Sequence, residues 1–131
     1  MRNRILGYLD TVPFSIHRIY EKTIPPGRRV LVDRLWPRGV KKDEADLDEW
    51  AKDVAPSPEL RRWYGHEPSR YKEFARRYHA ELKHPPAVAA VEALMDLSRH
   101  GEVILLTATK DIDHSGARVL RDHLVSLSEP T

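Results

Sequence analysis

Apolar residues recur along the chain with two different periods, and these periods predict its secondary structure. In residues 15–20, Ile16 and Arg18 would lie on one face of a strand and His17 and Ile19 on the other, whereas residues 29–34 and 103–107 contain nearly continuous runs of Val, Ile and Leu. These three segments are predicted to be strands. The spacing of apolar residues predicts helices near residues 47–54, 58–64, 68–83, 86–100 and 114–127.

The order of these elements is typical of α/β proteins. A long helical connection separates the second strand from the third, which permits a right-handed crossover between parallel strands. The third strand is then followed by a last helix. We therefore predict an α/β fold: a single compact domain with a small, mostly parallel sheet packed by about five helices. The short connection between the first two strands, by itself, favours an antiparallel hairpin for that pair.

The boundaries of the elements follow from turn and capping residues. Residues 1–14 show no clear period and are assigned to an N-terminal arm or edge strand, so the α/β domain is predicted to span residues 15–127. Ser57 is predicted to cap a short helix, and Asp113 is predicted to cap the last one. Gly101 is predicted to end the helix before the third strand.

The amino-acid composition excludes several classes of protein and several kinds of functional site. The chain has no cysteine, which excludes a disulfide scaffold, thiolate catalysis, Cys-ligated zinc and iron–sulfur clusters. The net charge at pH 7 is +2, too small for a strongly basic nucleic-acid binder. The apolar runs are too short to cross a membrane, and Asp10 interrupts the one at the N-terminus. We therefore expect a cytoplasmic protein without membrane contacts.

Charged residues cluster where the second and third predicted strands end. Because the carboxyl ends of parallel strands meet at one edge of a sheet, we expect the two loops to lie side by side and frame the functional site. The candidate residues in these loops are Asp33, Arg34, Trp36, Arg38, Lys110, Asp111 and His114.

The cations of these loops favour a small anionic ligand, bearing phosphate or carboxylate. Arg34 and Arg38 present planar guanidinium groups that match such anions, and Lys110 adds a point charge. The last helix begins nearby, and its free N–H groups also favour an anion. The alternative is a structural network, in which Asp33 and Asp111 neutralise these three cations.

His114 is the one plausible general base in these motifs, and Asp111 lies three residues earlier, where it can orient the imidazole. The alternative is that His114 has no role beyond its place at a helix start. Asp33, Asp111 and His114 also have the donor types of a divalent-metal site, but no dense ligand motif supports one. The sequence has no nucleotide-cofactor fingerprint, so we predict no cofactor. Trp36 is a candidate for stacking on a ligand.

A second basic region, from Arg61 to Lys83, is the basis of an alternative function. Its cations are interleaved with glutamates on predicted helices, so a solvated helix surface is the simplest interpretation. The other interpretation is a module that binds nucleic acid or an acidic protein. The cations of this region are Arg61, Arg62, Arg70, Lys72, Arg76, Arg77 and Lys83.

Three segments resemble the domain-of-unknown-function 488 (DUF488) family, in its short YeaO-like bacterial branch. They are residues 29–39, 50–63 and 105–114, and the similarity extends in register over about residues 15 to 125. The resemblance implies a compact α/β domain of the bacterial cytoplasm with no established activity. It also implies that the first two strands are parallel neighbours, which disagrees with the hairpin that their spacing favours.

Overall fold

A computed structural model describes residues 13–128, which form one small α/β domain. The strands are β1 (Phe14–Arg18), β2 (Arg28–Leu31), β3 (Glu49–Trp50) and β4 (Val103–Thr107). The α-helices are α1 (Pro58–Tyr64), α2 (Tyr71–Leu82), α3 (Ala87–Ser98) and α4 (Gly116–Ser128). Most of the predicted N-terminal arm, residues 1–12, lies outside the described residues.

The four described strands form one parallel sheet in the order β1–β4–β2–β3. The predicted α/β fold with a parallel sheet is confirmed. All five residues of the central strand β4 are buried, as its continuous apolar sequence indicates. All the strands end at the same edge of the sheet, so the loops that follow β2 and β4 lie next to each other.

Strands β1 and β2 are parallel but not adjacent, because β4 lies between them and pairs with both. The hairpin favoured by spacing is therefore wrong, and so is the expectation that the two strands are neighbours. The physical reason is the length of the connection between β1 and β2. Residues 19–27 form the connection, and nine extended residues span roughly 30 Å. That length is enough to return along a short strand and to pass over β4 without a helix.

The helix predicted at residues 47–54 is also wrong. This segment forms the edge strand β3 and a 3₁₀ turn at Lys52–Val54. The backbone of this segment pairs with the edge of β2. Asp48 N–H donates to the Arg29 carbonyl and Ala51 N–H donates to the Leu31 carbonyl, both at 2.8 Å. The apolar side chains of the segment are thus buried by sheet pairing rather than on a helix face.

The remaining four predicted helices are confirmed, with differences at their ends. Ser57 Oγ accepts from Leu60 N–H at 3.1 Å, as predicted for the N-cap of α1. The cap of α4 is Ser115, whose Oγ accepts from Arg118 N–H at 3.1 Å, and not Asp113. Helix α3 ends at Ser98, before Gly101. No helix in the described part of the chain is long and apolar enough to span a membrane.

The core lies between the sheet and the helices. The aromatic side chains of α2 supply much of it, as their helical spacing predicts. Phe74 and Tyr78 are almost fully buried, and Phe74 stacks on Tyr64 of α1 with ring centroids 4.1 Å apart. The Tyr78 hydroxyl donates to the Val54 carbonyl, which satisfies the polar end of a buried ring. Helices α1, α2 and α4 are therefore held together at one end of the core.

Two histidines meet where α2 packs on α4. The Nδ1 atoms of His79 and His123 are 3.0 Å apart, so one ring must donate and the other must accept. His123 is 6% exposed. Burial lowers the pKa of His123, and the nearby His79 and Lys83 lower it further. The fold therefore favours the neutral form of His123.

This pair makes stability depend on pH. A histidine with a lowered folded-state pKa contributes stability that is complete above its unfolded pKa of about 6.5 and is lost as the pH falls below it. We expect the urea midpoint of the native protein to fall between pH 7.5 and pH 5, and His123→Leu to flatten this dependence. The exposed His100 provides a control, since His100→Ala should keep the native slope. Equal slopes for His123→Leu and the native protein would contradict this assignment.

Candidate functional site

A cavity of about 450 Å³ opens at the carboxyl edge of the sheet. Its walls come from residues 32–38 after β2, residues 108–109 after β4, the start of α4 and the exposed side of α1. This volume is in the range of small-molecule sites, and the position is where ligands bind to open parallel sheets. The two loops that the sequence singles out thus frame one cavity.

Asp33 fastens the two loops to each other. Its Oδ1 accepts from the Thr107 hydroxyl and its Oδ2 accepts from Ala108 N–H, both at 2.8 Å. Thr107 Oγ1 also accepts from Thr109 N–H at 3.2 Å, so its own proton is directed to the carboxylate. Both carboxylate oxygens of Asp33 therefore act as acceptors for groups of the β4 end.

Burial raises the pKa of Asp33, and the hydrogen bonds from Ala108 and Thr107, together with the positive charge of Arg61, oppose that shift. Asp33 makes no ion pair with Arg34 or Arg38 in the part of the chain that the structure describes. The predicted alternative, a salt-bridge network of these loops, is therefore not formed around Asp33. Its negative charge is held by hydrogen bonds instead.

Arg34 and Trp36 are tied to the backbone around the cavity. Arg34 donates from Nε to the Pro56 carbonyl at 3.3 Å and from a terminal nitrogen to the Ala55 carbonyl at 3.2 Å. Trp36 donates from Nε1 to the Val40 carbonyl at 2.7 Å. Both side chains line the cavity, but their polar atoms mainly fix the loop in place.

Arg38, Arg61 and Arg62 also line the cavity, and all three are exposed. Their guanidinium groups make no hydrogen bond, ion pair or aromatic contact with any described residue. Every other described arginine except Arg28 has such a partner. Three of the four arginines that lack a partner among the described residues therefore surround a single cavity.

His114 and Asp111 form the predicted pair. His114 Nδ1 lies 2.8 Å from Asp111 Oδ2, and a carboxylate accepts only, so Nδ1 donates and Nε2 is left free to accept. The Tyr64 hydroxyl donates to the His114 carbonyl at 2.5 Å, and burial raises the pKa of Tyr64 to about 12, so this donor stays protonated. The edge of the Tyr71 ring packs on His114. The imidazole is thus oriented by Asp111 and Tyr71, and the backbone of His114 is held by Tyr64.

The structure separates the predicted site residues into two groups. Five of them line the cavity: Asp33, Arg34, Trp36, Arg38 and His114. Two do not: Asp111 contacts His114 from outside the wall, and the exposed Lys110 makes no hydrogen bond or ion pair with a described residue. No three described His, Cys, Asp or Glu side chains are close enough to hold a metal ion, so the metal alternative at Asp33, Asp111 and His114 is not formed.

The start of α4 forms the floor of the cavity. Ser115, Gly116 and Ala117 line it, and the first N–H groups of a helix have no acceptor within the helix. The predicted anion-binding helix start is therefore at the cavity, two residues beyond the position assigned from sequence. This end of the 13-residue helix also carries the positive end of its dipole.

Sequence reasoning missed several residues of the wall. Arg61 and Arg62 were assigned to the basic helical surface, yet their side of α1 faces the loop after β2. His66, with a backbone φ of +56°, lines the cavity just past the left-handed Gly65 that ends α1. Local spacing predicts which residues of a helix face outward but not which loop lies opposite them.

Fold and site together define a small α/β protein with an arginine-rich cavity at the carboxyl edge of a parallel sheet. Residues 13–130 match the family model described as "Inactive DUF488-N3 subclade", and the chain belongs to this family. The resemblance to the DUF488 family is therefore confirmed.

Relatives from two bacterial groups support the same assignment. The uncharacterized protein Rv3073c of Mycobacterium tuberculosis is 47% identical over 106 residues, which cover 80% of this chain and 87% of that protein. The uncharacterized protein YeaO of Escherichia coli is 42% identical over 101 residues, which cover 77% and 86%. No solved structure matches the chain significantly.

The bridge between Asp33 and the β4 end can be tested by stability. Thr107→Val keeps the shape of the side chain but removes the donor to Asp33 and the acceptor for Thr109 N–H. We expect a loss of about 1–3 kcal/mol in the free energy of unfolding, because buried groups are left unsatisfied. Thr109→Val is the matched control and should change it by less than about 0.5 kcal/mol. Equal urea midpoints for the two variants would show that the bridge contributes nothing.

Proposed function

We propose that this protein binds a small anionic ligand, bearing phosphate or carboxylate, in the cavity at the carboxyl edge of the sheet. The observation that carries the proposal is the convergence of Arg38, Arg61 and Arg62 on one cavity without partners among the described residues. Like charges held around a concave surface repel one another, and an anion between them relieves that repulsion. Guanidinium groups also bind such anions with two parallel hydrogen bonds.

Two further features favour a negative ligand. The start of α4, with its first N–H groups and the positive end of the helix dipole, lies at the floor of the cavity. The nearby carboxylate, Asp33, accepts from Thr107 and Ala108 and makes no ion pair with the three arginines, although the charge of Arg61 acts on it from a longer distance. The cavity thus combines cations, free donors and, among the described residues, a single lining carboxylate that makes no ion pair with any of the three arginines.

Binding without catalysis agrees best with the family description, whose first word is "Inactive". The cavity also lacks an available hydroxyl nucleophile at α4. Ser115 is buried, and its hydroxyl donates to the Ile112 carbonyl while accepting from Arg118 N–H. An enzyme that uses His114 as general base is a second candidate, supported by the orientation of His114 by Asp111 at the cavity wall.

The basic helical surface is a weaker basis for a nucleic-acid or protein module. Arg76 and Arg77 both pair with Glu73, and their hydrogen bonds lower the pKa of Glu73 to about 2. Arg70 donates to the Trp63 carbonyl. Arg61 and Arg62, at the start of this region, belong to the cavity. The region is thus partly neutralised and does not act as one continuous cationic surface.

Calorimetric titration tests the proposal. Inorganic phosphate and citrate are the probes, and at least one should bind saturably and raise the melting temperature. Arg61→Gln should weaken binding roughly tenfold to a hundredfold, because a hydrogen bond to a charged group contributes about 1.5–3 kcal/mol. Arg76→Gln is the matched control, an exposed cation outside the cavity, and should keep the native affinity. The proposal fails if neither probe binds or if both variants weaken binding equally.

Hydrolysis of p-nitrophenyl phosphate separates the two candidates. The binding proposal expects no release of p-nitrophenol above that in buffer. If turnover is found, and His114→Gln and Asp111→Asn remove it without loss of phosphate binding, the enzyme candidate replaces the binding one. Turnover that survives both substitutions would come from elsewhere and would exclude His114 as the base.

A further inference from the structure

The cavity is apolar as well as cationic at its mouth. Three large hydrophobic side chains among the described residues are exposed: Tyr20 at 41%, Leu35 at 62% and Leu127 at 52%. Two of the three, Tyr20 and Leu35, line the cavity. Exposed apolar groups that gather at one opening mark a site that covers them with a ligand. Such a cavity can accommodate a ligand that has an apolar part in addition to its charge.

Tyr20 and Trp36, the aromatic residues at this mouth, already use their polar atoms in hydrogen bonds and can contact a ligand only through their rings. The Tyr20 hydroxyl donates to the Arg38 carbonyl at 2.8 Å, and the Arg18 guanidinium lies 4.7 Å from the centre of the Tyr20 ring. The indole N–H of Trp36 donates to the Val40 carbonyl, its ring makes a T-shaped contact with Trp50 at 5.1 Å, and Lys42 Nζ lies 5.5 Å from the ring centre. Both rings are fixed and their polar atoms are already used. They are suited to stack on a flat group rather than to form hydrogen bonds with it.

The size of the cavity agrees with a ligand larger than a bare anion. At about 450 Å³ it is in the range that holds whole small molecules, whereas inorganic phosphate fills only a small part of it. Arg38 links the two groups of residues, because it lines the cavity with the other arginines and its carbonyl accepts from the Tyr20 hydroxyl. A single ligand can therefore reach both the arginines and the rings.

We propose, on the basis of the anion-binding function above, that the ligand is a phosphate ester of a flat aromatic group, of the mononucleotide class. Its phosphate binds among Arg38, Arg61 and the start of α4, and its ring stacks on Trp36 and Tyr20. Stacking on aromatic side chains tolerates every base.

Titration with matched ligands tests the ring separately from the phosphate. The probes are AMP, ribose 5-phosphate and adenosine, followed by tryptophan fluorescence and calorimetry. AMP should bind at least tenfold more tightly than ribose 5-phosphate, since stacking of one base accounts for a factor of this size. Adenosine alone should bind much more weakly than AMP. Trp36→Leu should weaken AMP but not ribose 5-phosphate, which brings the two affinities closer together.

Two variants complete the design. Tyr20→Leu alters an exposed ring without disturbing the core and should weaken AMP selectively even if Trp36→Leu fails to fold. Leu127→Ala removes an exposed apolar side chain away from the cavity and should keep the native preference. Equal affinities of the native protein for AMP and ribose 5-phosphate would overturn the aromatic ligand but leave anion binding intact. Failure of AMP, ribose 5-phosphate and inorganic phosphate to bind would overturn both proposals.

Discussion

The cavity depends on the carboxylate of Asp33, which joins the end of β2 to the end of β4. Its two oxygens accept from Thr107 and Ala108, and its backbone carbonyl accepts from the indole N–H of Trp50. Three of the four described strands thus converge on one residue. Burial of the charge raises the pKa of Asp33, so the carboxylate is held against a desolvation cost. A feature of this kind is typical of a site rather than of an ordinary strand end.

The orientation of Asp33 also determines the charge of the cavity. Its oxygens accept from Thr107 and Ala108, and none of the three arginines of the cavity makes an ion pair with it, although the charge of Arg61 opposes the rise of its pKa. Arg34 is used in a different way, since it holds the segment before α1 through the carbonyls of Ala55 and Pro56. The same short loop therefore builds the wall with Arg34 and leaves Arg38 without a partner among the described residues. This division of roles explains how a chain with a net charge of only +2 produces a locally cationic site.

Much of this arrangement follows from sequence, and the failures have physical causes. The apolar run of β4 and the abrupt polarity at Asp33 correctly predict a buried strand pair whose ends meet. The helix expected at residues 47–54 is replaced by β3, because apolar residues can be buried by an unpaired strand edge as well as by a helix face. Arg61 and Arg62 were not recognised as site residues, since their place in the cavity depends on how α1 packs against a loop more than 20 residues earlier.

The most direct test of the account is an amide chemical-shift titration of the ¹⁵N-labelled protein with inorganic phosphate. The account predicts saturable shifts that are largest at Gly116 and Ala117 and at the Nε–H groups of Arg38 and Arg61, with Arg76 and Arg77 as internal controls that change little. Shifts concentrated at Arg76 and Arg77 on α2, or shifts that never saturate, would contradict an anion site at the carboxyl edge of the sheet.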